Sequence, residues 1–173
     1  MADVAKNLLA IKAQLPEGVE LTAVSKFHPD EYITAAYNVG QRIFGESHEQ
    51  ELARKAASLP KDIHWHFIGH LQTNKVKYIA PYISMIESVD SIRLLREIEK
   101  QGARCGRRIR VLLELHIAEE ATKYGLTPDD CRSLLADGEW QQMEHVEICG
   151  LMMMASHTDD HDQIAREMDS AHS

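Results

Sequence analysis

The chain has 173 residues, of which 44% are hydrophobic and 27% are charged, a composition typical of a soluble globular protein. This length predicts a single domain over residues 1–173 with a sizeable hydrophobic core. The formal net charge is −8, and no basic stripe offsets it, which argues against a nucleic-acid partner.

The cysteines and the N-terminus indicate a reducing, cytoplasmic setting. Cys105, Cys131 and Cys149 are odd in number and widely spaced, which argues against a disulfide framework or a zinc ribbon. The first residues lack the unbroken apolar core of a signal peptide; instead Val4 and Leu8 begin one apolar helical face. Because no segment reaches the length of a membrane span, we expect no membrane partner.

After this N-terminal helix, strand-like and helix-like segments alternate along the chain. The apolar, strand-like runs are "ELTAVSK", "RIFGES", "DIHWHFIG", "ISMIESVD", "IRVLLELHI" and "VEICGLMMMA". The amphipathic runs between and after them are "PDEYITAAYNVG", "HEQELARKAASLP", "TNKVKYIAP", "SIRLLREIEKQG", "TPDDCRSLLADGEW" and "TDDHDQIAREMDSAHS". Gly40 and Gly102 follow two apparent helix ends, where a left-handed residue is common.

Six repeats of strand and helix predict an α/β protein with a parallel sheet and helical crossovers. The strands are mostly apolar along their length, which indicates that both faces of the sheet are covered. Two architectures fit, an open doubly wound sheet and a (β/α) barrel. A complete eight-unit barrel takes about 250 residues, so six units predict either a complete open sheet or an incomplete barrel.

In either architecture the functional groups belong at the C-terminal ends of the strands. The polar residues and methionines found there are Lys26, Glu46, Ser47, His66, Gly69, Asp90, Glu114, His116 and Met152–Met154. Lys26 is the covalent candidate, because an ammonium that loses its hydration has a lowered pKa and its free amine can form a Schiff base. The alternative is an ordinary lysine that extends into solvent.

Two other motifs could in principle hold a metal. His64 and His66 are two residues apart on a strand and share a face, as two zinc ligands of a barrel hydrolase would. No third ligand is placed convincingly, and a packed or hydrogen-bonded pair is the alternative. The motif "SHTDDHD" (156–162) is more typical of a solvated helix start.

Five motifs follow one another along the chain: "AVSK", "GQRIFGESHEQE", "HWHFIGHLQTNK", "VLLELHIAEEATKYGL" and "CGLMMMA". Taken together and in this order, they resemble the pyridoxal phosphate homeostasis proteins. That family is similar in fold to the N-terminal barrel of alanine racemase, so the resemblance implies a (β/α) TIM-type barrel rather than an open sheet. It also implies that Lys26 holds pyridoxal 5′-phosphate as a Schiff base.

The resemblance implies further residues of a cofactor pocket. Carried over to this sequence, they are Val24, Ser47, His66, Asn74, Lys75 and Met152. Ser47 and His116 stand where many members have asparagine, so we expect the hydrogen bonding around the cofactor to differ here.

The family usually continues with two segments that form the seventh and eighth strands and supply backbone amides for the cofactor phosphate. This sequence ends before them, and Gly150 is its last glycine. We therefore expect a C-terminally shortened barrel with exposed strand edges, which binds the cofactor weakly.

The resemblance implies a non-catalytic carrier of pyridoxal 5′-phosphate in intracellular vitamin B6 homeostasis. Cofactor-dependent apo-enzymes would be its recipients, and we expect a monomer or a weak dimer. Racemisation generally takes two bases, and in racemases the second is a tyrosine from another domain, which is not found in this sequence. A low-activity amino-acid racemase is the alternative within the fold, and a metal-dependent hydrolase using His64 and His66 is the alternative of another class.

Overall fold

The computed structural model describes residues 3–117 and 124–169, in which six strands form one parallel sheet. The strands are β1 (Ala23–Val24), β2 (Ile43–Glu46), β3 (His64–Phe67), β4 (Met85–Val89), β5 (Ile109–Leu115) and β6 (Val146–Met153). Their order in the sheet is their order in the chain. Because a doubly wound sheet reverses its strand order at a switch point, this order confirms the barrel-type winding.

A helix follows every strand, and one helix precedes the sheet. The helices are α1 (Val4–Lys12), α2 (Asp30–Asn38), α3 (Glu49–Ser58), α4 (Val76–Ile79), α5 (Ile92–Cys105), α6 (Pro128–Asp137) and α7 (His161–Asp169). Short 3₁₀ turns lie at Thr73–Lys75 and Glu139–Gln142. The six predicted βα units are therefore confirmed, and the chain forms an incomplete (β/α) barrel.

The ends of α5 illustrate how local sequence sets these bounds. The Ser91 hydroxyl accepts a hydrogen bond from the Leu94 amide at 3.2 Å, and Gly106 ends the helix with φ of 62°. The prediction that Gly102 ends this helix is wrong, because Gly102 lies inside it. A Cβ at Gly102 would be 2.9 Å from the Cβ of His145, so this glycine permits close packing instead.

The hydrophobic core lies against one face of the sheet. Alternate residues of β5, namely Ile109, Val111 and Leu113, are almost completely buried, as are Leu52 of α3 and Ile98 of α5. Since alternate residues of a strand point to the same face, the helices cover that face. Each large apolar side chain buried in this way contributes about 1.5–3 kcal/mol to folding.

The opposite face of the sheet is more polar than the sequence predicts. On β3, Trp65 and Phe67 are buried, whereas His64 is exposed and His66 is half-buried. The expectation that both faces of the sheet are covered therefore does not hold at His64. In the described part of the chain β1 pairs with β2 alone, and Val24 is 51% exposed at this edge of the sheet.

The predicted N-terminal helix is present as α1, and its apolar face is narrow. Leu8 is buried, whereas Ile11 is 49% exposed. The side chain of Asp3 begins the helix by accepting a hydrogen bond from the Lys6 amide at 3.1 Å. Over residues 3–117 and 124–169, no helix is long and apolar enough to span a bilayer.

Candidate functional site

The C-terminal ends of the strands surround a cavity of about 390 Å³, which we call the Lys26 cavity. Six residues predicted from the strand ends line it together: Lys26, Ser47, Gly69, Glu114, His116 and Met154. His70 and Tyr124 complete its polar lining. A lysine amine, imidazoles, a carboxyl group and a phenol thus share one small volume, which suits a polar ligand with a reactive carbonyl.

Lys26 lies two residues beyond the end of β1, and its side chain is exposed. The sequence-based prediction that this amine is stripped of water is therefore wrong for the structure as it stands. The reason is the position of β1, which is two residues long and lies at an edge of the sheet. The amine is accessible to a ligand that enters the cavity.

A second lysine, Lys55, fixes the backbone around Lys26. Lys55 is fully buried, and its Nζ donates hydrogen bonds to the Ser25 carbonyl oxygen at 2.7 Å, to Glu46 Oε1 at 2.8 Å and to Glu51 Oε1 at 2.7 Å. The Ser25 hydroxyl also donates to Glu46 Oε1, at 2.6 Å. We call Ser25, Glu46, Glu51 and Lys55 the Lys55 cluster. It holds the residue immediately before Lys26.

The same cluster holds the residue immediately after Lys26. The amide of Phe27 donates a hydrogen bond to Glu51 Oε1 at 2.9 Å. Phe27 has φ of 64°, an uncommon conformation for a bulky residue that the surrounding contacts must stabilise. The chain turns sharply here, and Lys26 sits between two anchored neighbours.

Sequence reasoning identified Glu46 only as a polar strand end and did not identify Lys55. Glu46 is fully buried in the Lys55 cluster and does not line the Lys26 cavity. A signal for Lys55 does exist, because Lys55 follows Leu52 by three residues and so shares the buried face of α3. The acceptors for its charge come from β1 and β2, however, which no helical pattern can reveal.

Two aromatic rings form one wall of the cavity. The rings of His70 and Tyr124 stack with their centroids 3.8 Å apart and an interplanar angle of 14°. His70 Nδ1 lies 3.3 Å from Asp90 Oδ2. Asp90, predicted as a strand-end residue, therefore acts on the cavity through His70. His70 itself was missed; it lies three residues beyond the end of β3, whereas Ser47 follows β2 directly.

Glu114 also lines the cavity, and it is only 6% exposed. Burial raises the pKa of its carboxyl group above the usual value, and the negative charge of Asp90 raises the pKa further, whereas His116 lowers it. The Oε2 atom of Glu114 has no hydrogen-bond partner among residues 3–117 and 124–169.

Gly69 permits the ends of β2 and β3 to meet at this cavity. A Cβ at Gly69 would lie 2.7 Å from the Cβ of Ser47 and 2.8 Å from the Ser47 carbonyl oxygen. A side chain at this position would push Ser47 away, so glycine is required for the observed approach.

Five of the predicted cofactor-binding residues lie outside this cavity, and one of them, Lys75, lines a neighbouring cavity with Ser47 and His70. Val24 lines a groove beside α1 and α2, and Asn74 lines a neighbouring cavity that it shares with His70. His66 Nδ1 is 2.6 Å from Glu87 Oε1. Met152 is the register partner of Glu114 on the adjacent strand. Of the predicted set, Lys26 and Ser47 are the two that line the cavity.

The histidine pair of β3 is divided between two environments. His64 lines a cavity formed with the end of α1 and the segment before β1, whereas His66 is paired with Glu87. In the part of the chain that the structure describes, no group of three or more histidine, cysteine, aspartate or glutamate side chains could hold a metal ion.

Comparison with known sequences connects this chain to a family. The profile of the alanine racemase N-terminal domain matches residues 1–172. The pyridoxal phosphate homeostasis protein of Schizosaccharomyces pombe is 37% identical over 140 residues, which cover 80% of this chain and 58% of that protein. The human protein of the same name is 36% identical over 145 residues, covering 79% of this chain and 52% of the relative. The chain thus spans about half the length of these curated relatives.

Solved structures agree with the fold described above. PipY of Synechococcus elongatus, solved with pyridoxal phosphate bound, has a TM-score of 0.79 and 32% identity, covering 97% of this chain and 83% of that chain. The alanine racemase of Streptomyces lavendulae has a TM-score of 0.80 at 20% identity, covering 97% of this chain and 45% of that enzyme. Because its identity is only 20%, the similarity to the alanine racemase shows the fold alone.

Proposed function

The chain belongs to the alanine racemase N-terminal domain family, and from this premise we propose that it binds pyridoxal 5′-phosphate in vitamin B6 cofactor homeostasis. The cofactor would be held by a Schiff base on Lys26. The observation that carries the proposal is the placement of this accessible amine, between two anchored neighbours, in a cavity at the strand ends. Relatives at 36–37% identity named for this role support it.

The cavity residues fit an anionic aromatic aldehyde. Lys26 supplies a primary amine, and His70 and His116 supply imidazoles. Glu114 resists taking a negative charge, because burial raises its pKa. The stacked rings of His70 and Tyr124 offer an aromatic surface. When bound, the cofactor would supply an aldehyde carbon and an electron-withdrawing ring.

The proposal is tested by labelling the cofactor-bound lysine. The 173-residue chain is titrated with pyridoxal 5′-phosphate while its visible absorbance is followed, then reduced with borohydride and mapped by peptide mass spectrometry. We expect the label on Lys26, and its loss in Lys26→Arg, which keeps the charge but cannot form the bond. The weak affinity expected from the sequence is measured in the same titration.

Lys75 provides the matched control. Its Nζ pairs with Glu49 Oε1 at 2.6 Å, and it borders a neighbouring cavity with Ser47 and His70. Lys75→Arg should keep the label on Lys26, because the amine of Lys75 is already engaged. A label on Lys75, or an unlabelled protein at saturating cofactor, would contradict the proposal.

We propose a non-catalytic role, with cofactor-dependent apo-enzymes as recipients, ahead of an amino-acid racemase. The exposure of Lys26 supports this choice, because an open site suits loading and delivery better than a reaction that requires exclusion of water. His116 and Tyr124 do share the cavity with Lys26, so a second acid or base is within the same site. Loss of optical rotation with D- or L-alanine would favour the racemase instead.

A further inference from the structure

Glu114 is a buried polar residue that lines the Lys26 cavity, and one of its carboxyl oxygens lacks a hydrogen-bond partner in the part of the chain that the structure describes. It is 94% buried and lines the cavity, yet its Oε2 has no hydrogen-bond partner in the described ranges 3–117 and 124–169. A buried oxygen without a partner costs about 1–3 kcal/mol, so native proteins rarely keep one without a reason. A ligand in the cavity would provide the missing partner.

The surroundings of Glu114 determine which form of the carboxyl meets that ligand. The titratable groups around it are Lys26, His70, His116 and Tyr124 in the cavity, with Asp90 behind His70. Burial and Asp90 both raise the pKa of Glu114, and His116 opposes them. A neutral carboxylic acid can donate a hydrogen bond, whereas a carboxylate can only accept one.

We propose that Glu114 is a ligand-binding residue that donates a hydrogen bond from its protonated carboxyl group to the molecule held on Lys26. This inference rests on the proposed function and deepens it. The hydrogen bond from Glu114 favours a ligand that places an acceptor oxygen or nitrogen next to β5. A ligand that places a second donor there would leave two donors facing each other and would bind less well.

The test compares two substitutions of equal length in the full chain. Glu114→Gln keeps an N–H donor, whereas Glu114→Met keeps the volume and removes both donor and acceptor. With pyridoxal 5′-phosphate as the probe, Glu114→Met should raise the dissociation constant about ten-fold, the usual effect of one buried hydrogen bond, whereas Glu114→Gln should stay within about three-fold. Thermal unfolding without the probe should show no loss of stability in either variant.

The outcomes separate this inference from the function on which it rests. If the unsubstituted chain takes no label on Lys26, both are overturned. If Lys26 is labelled in all three proteins and Glu114→Met binds the probe as tightly as the unsubstituted chain, the role of Glu114 alone is overturned. Equal weakening in Glu114→Gln and Glu114→Met would also overturn it, because the loss would not follow the donor.

Discussion

Two lysines near the ends of β1 and β2 lie in opposite surroundings. Lys55 is fully buried and donates to oxygens of Ser25, Glu46 and Glu51. Lys26 is exposed and makes no hydrogen bond or ion pair within the described part of the chain. A buried ammonium is tolerated only where acceptors satisfy its three donors. Lys55 therefore has a structural role, whereas Lys26 is accessible to a ligand.

The difference extends to the carboxyl groups of the two regions. In the Lys55 cluster, Glu51 is surrounded by donors, and its pKa is below the usual value although burial alone would raise it. In the cavity, burial raises the pKa of Glu114, and Oε2 has no partner in the described residues. Each region keeps one buried carboxyl oxygen without a hydrogen-bond partner among the described residues, Glu46 Oε2 and Glu114 Oε2, but of the two residues Glu114 is the one that lines the cavity, where a ligand can reach it.

The largest expected effect is a difference in the free energy of unfolding between variants of the two lysines. Lys55→Met should lower the free energy of unfolding by about 3–5 kcal/mol, because it leaves Glu46 as a buried charge without its partner. Lys26→Met, the matched control on an exposed residue, should change it by less than about 0.5 kcal/mol. Urea unfolding measures both. Similar losses in the two variants would mean that the surroundings of the two lysines do not differ as described.

An intermediate effect is expected at Glu51, which accepts from both Lys55 and the Phe27 amide. Glu51→Gln should cost about 1.5–3 kcal/mol at pH 7, since hydrogen bonds to a charged group are lost. Because the folded-state pKa of Glu51 is below the usual 4.5, its contribution is present above about pH 4.5 and is lost as the pH falls through the folded value. Unfolding measured from pH 7 to pH 3 should show the two proteins converging; a constant difference would contradict this.

The smallest expected effect is that of Glu114→Gln on stability, and its pH dependence is opposite to that of Glu51→Gln. Because the folded-state pKa of Glu114 is above the usual 4.5, the fold binds its proton more tightly than the unfolded chain does, and stability falls as the pH rises above about 4.5. Glu114→Gln removes this loss and should therefore be more stable than the unsubstituted chain at pH 7. Below pH 4.5 the difference should vanish. A variant that is less stable at pH 7 would indicate that the carboxylate is stabilised by its surroundings.

Much of the fold follows from short-range patterns in the sequence. The alternation of apolar and amphipathic segments predicts six βα units because side-chain periodicity differs between strands and helices. It also predicts that Lys26 and Ser47 come together, because parallel strands bring their C-terminal ends to the same edge. The structure does not place Val24, His66, Asn74, Lys75 and Met152 in the same cavity, because the surroundings of each side chain depend on groups from other elements: His66 pairs with Glu87, and Lys75 pairs with Glu49.

The sequence by itself determined the class of fold, the order of its elements and the position of Lys26 at a strand end. Only the tertiary structure decided that Lys55 is removed from water, and that Glu114 Oε2 is buried without a hydrogen-bond partner among the described residues. Burial depends on which surfaces meet after α3 packs over β1 and β2, and these contacts join residues up to 30 positions apart. Periodicity describes neighbours along one element, so it contains no information about the groups that other elements bring to the same place.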